Sequence, residues 1–137
     1  VPGLFSETLR DNILLGIPES KVDLSEALKS AVLEPDIATL EVGLDTVIGP
    51  KGVKLSGGQA QRTAAARMFV RDPELLVFDD LSSALDVETE QVLWDRVFSR
   101  QDVTCLAVSH RPSVLRRANR VITLEAGRIV NEETRRS

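Results

Sequence analysis

The sequence predicts an α/β fold in which parallel core strands carry a helical subdomain, and three observations lead to this class. Two short apolar runs, 75–78 and 103–108, have the length and composition of buried strands. Amphipathic helical patterns precede and separate them, which is the alternation typical of a parallel sheet. Polar residues follow each run directly, Asp79-Asp80 after the first and Ser109-His110 after the second. Open α/β sheets bind ligands at that end of their strands.

Composition limits the size and the class of the protein. With 137 residues, of which 42% are hydrophobic and 28% are charged, the chain can build one core. A net charge of -4 provides no general basic surface for nucleic acid, and no apolar run is long enough to span a bilayer. Cys105 is the single cysteine and lies in an apolar run, so we expect a packed strand residue in a reducing compartment.

The first part of the chain predicts short helices. Ser6 is expected to cap a helix that carries Leu9, Ile13 and Leu14 on one face and ends at 16–18. The next predicted elements are, in order, a helix over 23–33, a helix over 35–42 and a loop punctuated by glycine and proline over 46–54.

A glycine pair marks the start of the next helix. Ser56 is a natural N-cap, and a helix is predicted over 59–70, ended by Asp72-Pro73. Gly57 and Gly58 leave the backbone bare for a ligand to approach closely. A helix that begins in this way directs free amides and the positive end of its dipole outward, which suits a phosphate. The plainer alternative is that Ser-Gly-Gly only starts a helix and Asp79-Asp80 only caps a strand end.

The second part of the chain predicts the remaining elements. They are, in order, the strand over 75–78, a tight turn over 83–86, a helix over 87–99 with Trp94 packed or half-exposed, the strand over 103–108, a hairpin of 120–125 with 128–130 around Ala126-Gly127, and a frayed polar tail over 131–137.

Five motifs in sequence order resemble the nucleotide-binding domain of an ABC transporter. They are LSGGQ at 55–59, Gln61-Arg62, Ala66-Arg67, LLVFDD at 75–80 and SALD at 83–86. The segment 4–54 is similar to exporters of this family. The resemblance implies a P-loop NTPase-like ABC ATPase domain, with a helical and signature subdomain over about 4–72 and the Walker B strand, D-loop, switch histidine and C-terminal hairpin over about 73–137. No G-x-x-x-x-G-K-[S/T] run occurs in the chain, so the resemblance implies a C-terminal fragment without the P-loop.

The resemblance also implies a role for each site residue. Asp79 would hold Mg²⁺, Asp80 occupies the position of the general base, and His110 would contact the γ-phosphate of ATP. The remaining nucleotide contacts implied by the signature and SALD motifs are Ser56, Gly57, Gly58, Gln59, Ser83, Ala84 and Asp86. The implied partners are a second ABC ATPase domain, identical or different, in a head-to-tail dimer, and a transmembrane domain at the cytoplasmic face of the cell membrane, with no nucleic acid.

Asp80 departs from the family pattern, which usually has a glutamate at this position. A positioned group displaced by about 1 Å can lower a rate on the order of a hundredfold, so the site could be slow or degenerate. Two other functions stay open. One is a non-catalytic half-domain that lends its signature motif to a partner. The other is a DNA-repair or chromosome-type ABC head, which would carry a long coiled coil where 4–54 is short. The lone His110 could also be structural.

Overall fold

The computed structural model describes residues 3–81 and 83–135, which form a mixed α/β structure. The helices are α1 (Leu9–Leu14), α2 (Leu24–Ser30), α3 (Glu34–Thr39), α4 (Gly57–Phe69), α5 (Val87–Phe98) and α6 (Pro112–Arg117), with short 3-10 turns at Glu19–Lys21 and Gly43–Asp45. The strands are β1 (Leu75–Asp79), β2 (Thr104–Val108), β3 (Arg120–Glu125) and β4 (Arg128–Thr134). Strands β1 and β2 pair in parallel, and β3 and β4 form an antiparallel hairpin. The predicted parallel strands, helices and hairpin are thus confirmed.

The parallel pair places its two carboxyl ends side by side. Its register runs from Leu75 opposite Thr104 to Asp79 opposite Val108, with α5 as the connection. On the inner face Phe78 packs edge-on against Trp94 of α5, with ring centroids 5.2 Å apart. Trp94 is only 3% exposed, so of the two predicted environments the packed one is correct. This aromatic contact fixes α5 against the strand that carries the acidic residues.

Only one face of the parallel pair is buried, although the sequence predicted two buried strands. Leu76 and Phe78 are at most 3% exposed, whereas Leu75 and Val77 are 52% and 56% exposed. Leu106 and Val108 of β2 are each 58% exposed, on the same outer face. An apolar run does not show which faces of a strand are covered, which is why the prediction was wrong on this point.

Helix caps explain two helix starts, and at one of them the predicted cap needs correction. Thr8, not Ser6, caps α1, because its Oγ1 accepts the N–H of Asp11 at 3.0 Å. The Ser6 hydroxyl instead accepts the N–H of Lys51 at 3.3 Å. Ser56 caps α4 as predicted, and the helix begins at once with Gly57.

Several predicted boundaries also need correction. Helix α2 ends at Ser30 and α3 at Thr39, before the predicted ends at Leu33 and Val42. Strand β4 extends to Thr134, so 131–134 are paired rather than frayed, while 136–137 lie outside the described residues. Helix α6 was not predicted. Among the described residues, no helix combines the length and the apolar character needed to cross a membrane.

Candidate functional site

Two carboxylates project at the end of β1. Asp79 is the last residue of the strand, and the N–H of Asp80 donates to the carbonyl of Val108 at 3.0 Å, which extends the pairing by one residue. Asp80 has a left-handed backbone with φ of 50°, a conformation that aspartate tolerates better than most residues. Both carboxylates are exposed. They line a cavity of about 420 Å³ together with Gln61 and Ser83.

His110 lies beyond the end of the neighbouring strand β2. Its side chain is exposed, and it does not line the cavity at Asp79 and Asp80. The loop around it is attached to α5 through Glu90, which is 5% exposed. Glu90 accepts a hydrogen bond from the Ser113 hydroxyl at 3.3 Å and pairs with Arg111 at 3.4 Å. Glu90 does not stand out in the sequence, because acidic residues are common in the first turn of a helix, where they complement its dipole.

The first turn of α4 is closed by a reciprocal pair of hydrogen bonds. The N–H of Gln59 donates to the Ser56 hydroxyl at 3.2 Å, and the N–H of Ser56 donates to Gln59 Oε1 at 2.9 Å. This capping box satisfies two of the orphan amides of the helix start, those of Ser56 and Gln59, and leaves those of the two glycines unused by the cap. Because the first-turn amides and the helix dipole point the same way, this end of α4 favours an anion.

The glycine pair contacts the turn over 83–86, hereafter the SALD turn. A Cβ on Gly58 would lie 2.8 Å from the carbonyl oxygen of Ala84, and one on Gly57 would lie 3.2 Å from the Ala84 methyl. Gly58 is buried by this contact, whereas Gly57 remains exposed. Because the two glycines have no side chains, a segment of the same chain can approach the helix start closely. From the sequence, the absence of these side chains had been attributed to the approach of a ligand alone.

Gln61 joins the same two segments. Its Nε2 donates to the Ser83 hydroxyl at 2.7 Å, and its Oε1 accepts the N–H of Ala84 at 3.4 Å. In the sequence, Gln61 stood out only as part of a motif. Its position one helical turn after Gly57 puts it on the same face of α4, which is the signal that could have drawn attention to it.

Asp86 ends the SALD turn and caps α5. Its carboxylate accepts the N–H and the hydroxyl of Thr89, each at 2.8 Å. Both hydrogen bonds lower the pKa of Asp86 below its ordinary value, and the one from the backbone N–H of Thr89 has the larger effect. Asp86 therefore stays ionised and fixes the direction in which α5 leaves the turn.

A partly buried ion pair supports the start of α4 from the other side. Arg62 of α4 donates to the carboxylate of Asp36 on α3 and to the carbonyl of Val32, and Gln59 Nε2 donates to Asp36 at 3.0 Å. Burial alone would raise the pKa of Asp36, but the hydrogen bonds from Arg62 and Gln59 outweigh it and lower that pKa. This pair could not be recognised from the sequence, because its partners lie 26 residues apart.

The predicted site residues thus fall into three neighbouring groups. Asp79, Asp80 and Ser83 share one cavity, and His110 follows the adjacent strand. The residues at the start of α4 are Ser56, Gly57, Gly58 and Gln59, and its glycines contact Ala84. Over residues 3–81 and 83–135, no group of three or more acidic, histidine or cysteine side chains forms a complete metal site. The fold and these strand-end residues define a mixed α/β protein with an acidic site at the carboxyl edge of a parallel pair.

Known proteins share both the sequence and the fold. The chain is 42% identical, over 135 residues, to a multidrug export ATP-binding/permease protein of Staphylococcus aureus strain COL. It is 41% identical to the corresponding protein of a bovine strain of that species. In each case the match covers 97% of this chain and 23% of the relative. A bacterial Atm1-family ABC exporter with ATP bound has the same fold, with a TM-score of 0.86 and 33% identity over 97% of this chain and 24% of that one.

No family model matches the chain. The relatives and the shared fold nevertheless agree with each other, and together they are consistent with an ATP-binding fragment of an ABC exporter. The chain spans about a quarter of the length of the relatives it matches. The resemblance inferred from the five motifs is therefore confirmed.

Proposed function

We propose that this chain contributes to the binding and hydrolysis of ATP that power transmembrane transport by an ABC exporter. One observation carries the proposal. The two adjacent carboxylates of Asp79 and Asp80 and the imidazole of His110 all follow the carboxyl ends of the parallel pair β1 and β2. This is the edge at which open α/β sheets bind their ligands, and the sequence relationship to ATP-binding export proteins points to the same chemistry.

The residues present fit Mg²⁺ and ATP. Mg²⁺ is usually held by one or two carboxylates together with waters and substrate phosphates, so a site without three protein ligands is suitable for it. Asp79 and Asp80 provide exposed carboxylates beside a cavity of about 420 Å³. The amides of Gly57 and Gly58 at the start of α4 suit phosphate oxygens. MgATP, when bound, supplies the phosphoryl group that is transferred to water.

Each side chain then has a distinct proposed role. Asp79 is a metal ligand, directly or through water. Asp80 accepts the proton of the attacking water, and His110 donates a hydrogen bond to the γ-phosphate. Ser56, Gly57, Gly58 and Gln59 contact ATP held by a second ATPase domain in a head-to-tail dimer. The SALD turn contacts nucleotide at that same shared site through Ser83, Ala84 and Asp86.

The proposed partners are a second ABC ATPase domain, in a homodimer or a heterodimer, and a transmembrane domain. The transmembrane domain is supported by the relatives, whose names combine an ATP-binding part with a permease. The second ATPase domain is implied by the resemblance of the signature and SALD motifs to the family. The ATPase part would lie at the cytoplasmic face of the membrane. A half-domain that only lends its signature motif to a partner is the second candidate, and the well-formed α4 start favours it as much as it favours catalysis.

The length of the Asp80 side chain provides the test. In a complete transporter that carries this sequence, with the partner site disabled, Asp80→Glu should raise single-turnover hydrolysis, by up to about a hundredfold, because the longer carboxylate reaches the water better. Asp80→Asn should lower it by at least about a hundredfold, since an amide cannot accept the proton. Asp79→Asn should abolish the Mg²⁺-dependent reaction.

Asp102→Asn is the matched control, because Asp102 is exposed in the loop before β2, at the opposite end of the sheet. Glutamate tolerates the left-handed backbone at position 80 less well than aspartate, so rates are compared at equal folded fraction. If the Glu variant were no faster and the Asn variant equally active, Asp80 would not be the base. With the partner site disabled, absence of hydrolysis in the parent and in the Asp79 and Asp80 variants alike would favour the non-catalytic candidate.

A further inference from the structure

The glycine pair and the SALD turn are both assigned to ATP by the proposed function, and Gln61 joins them. Both polar atoms of its side-chain amide form hydrogen bonds with the turn. Nε2 donates to Ser83 Oγ at 2.7 Å and Oε1 accepts from the N–H of Ala84 at 3.4 Å. These contacts connect positions 22 and 23 residues apart, so they bring together two motifs that the chain itself does not hold in place.

The glycine pair also lies close to the turn. A Cβ at Gly58 would meet the Ala84 carbonyl oxygen at 2.8 Å and Leu85 Cδ2 at 3.2 Å. The backbone of the turn therefore approaches the helix start closely at Gly58. The Gln61 side chain accepts the backbone N–H of Ala84. The absence of a side chain at Gly58 leaves room for the carbonyl oxygen of Ala84.

A solvated glutamine with no further role would not be expected to make these contacts. Ordering its side chain costs rotamer freedom, which a single exposed hydrogen bond barely offsets. Gln61 is half-buried, makes two hydrogen bonds to one turn, and lies on the wall of the cavity that Asp79 and Asp80 share. Its polar atoms are directed at the turn.

We propose that Gln61 is a positioning residue that sets the SALD turn relative to the first turn of α4, so that the two segments face nucleotide as one unit. The nucleotide part rests on the proposed function. The contact itself does not depend on it. Loss of Gln61 releases the turn, and the arrangement that the reaction requires is then populated less often. Turnover falls, whereas ATP affinity changes little, because Gln61 acts through the turn.

The test compares three variants in a complete transporter that carries this sequence. Gln61→Met keeps the length of the side chain and removes both hydrogen bonds. Gln61→Glu is the conservative variant, since a carboxylate accepts from both the Ser83 hydroxyl and the Ala84 N–H. Gln91→Met is the matched control, because Gln91 is an exposed helical glutamine on α5.

Two measurements are made on each variant. Hydrogen exchange without nucleotide should be faster by about threefold to tenfold in the peptide covering the SALD turn of Gln61→Met, the size expected for a lost hydrogen bond. Gln61→Glu and Gln91→Met should exchange like the parent. In ATP hydrolysis, Gln61→Met should lower kcat by a similar factor with KM nearly unchanged.

Unchanged exchange in the SALD turn of Gln61→Met would overturn the proposal, as would faster exchange throughout the chain, which indicates general destabilisation. Faster exchange in the turn with unchanged kcat would overturn the positioning role. Because exchange needs no nucleotide, it separates this inference from the proposed function. A parent transporter that hydrolyses no ATP would refute the proposed function, while the exchange result would still decide the contact made by Gln61.

Discussion

The ion pair between Asp36 and Arg62 leads to a quantitative prediction for Asp36→Ala. The side chains of Asp36 and Arg62 are 21% and 11% exposed, so neither charge is well solvated. Asp36 accepts hydrogen bonds from Arg62 and from Gln59. Removing the carboxylate leaves the guanidinium with the carbonyl of Val32 and with little water.

Breaking a buried pair by removing one partner costs about 3–5 kcal/mol of unfolding free energy. Asp36 retains some exposure, so we expect the lower end, about 3 kcal/mol. Glu34→Ala on the same helix is the matched control. Glu34 pairs with Arg96 at 3.1 Å, but these side chains are 46% and 32% exposed. An exposed pair of this kind contributes about 0–1 kcal/mol.

Urea unfolding of the purified chain, followed by the fluorescence of Trp94, measures both losses. The pH dependence gives a second measurement. The pKa of Asp36 is lower in the folded state, so its contribution is complete above the unfolded pKa, about 3.9, and is lost as the pH falls through the folded value. The difference between the parent and Asp36→Ala should therefore shrink below about pH 4. Equal losses for Asp36→Ala and Glu34→Ala, or a difference that does not change with pH, would refute this reasoning.

Two further substitutions test the packing around the site. Gly58→Ala should lower the free energy of unfolding by about 1–3 kcal/mol, because the new Cβ would lie 2.8 Å from the Ala84 carbonyl oxygen. Gly57→Ala should cost less, since it meets only a methyl group at 3.2 Å, and equal losses in urea would contradict the close approach. Glu90→Ala should cost about 1–3 kcal/mol in thermal unfolding, with the exposed Glu88→Ala as control, because Glu90 is a buried and paired carboxylate. A Glu90 variant as stable as the control would disprove that role.

Local signals in the sequence were sufficient for much of the fold. Ser56 was recognised as the N-cap of α4 from its residue type, and it caps the helix, although the predicted helix began at Gln59 and α4 begins two residues earlier, at Gly57. The apolar runs gave both parallel strands, and Ala126-Gly127 gave the hairpin, whose turn residues indeed have positive φ. Such features depend on neighbours within one turn of helix or one strand.

Features that depend on distant residues could not be predicted. The exposed face of β1 and β2 depends on what packs there, and alternate residues of an apolar run look alike. The contacts of Gln61 with the SALD turn and of Arg62 with Asp36 cross more than 20 residues. Helix α6 is six residues long with arginines in its last turn, which is too short for helical periodicity to be recognised.

The exposed face of the parallel pair affects how the chain behaves by itself. Leu75, Val77, Leu106 and Val108 place four aliphatic side chains, each more than half exposed, on one flat surface. Parallel sheets are normally covered on both faces, and two strands alone are marginally stable in water. We expect such a surface to promote self-association, in which case the apparent stability of the isolated chain would depend on protein concentration. Work on this chain alone should therefore use dilute samples and titrate concentration before any difference between variants is interpreted.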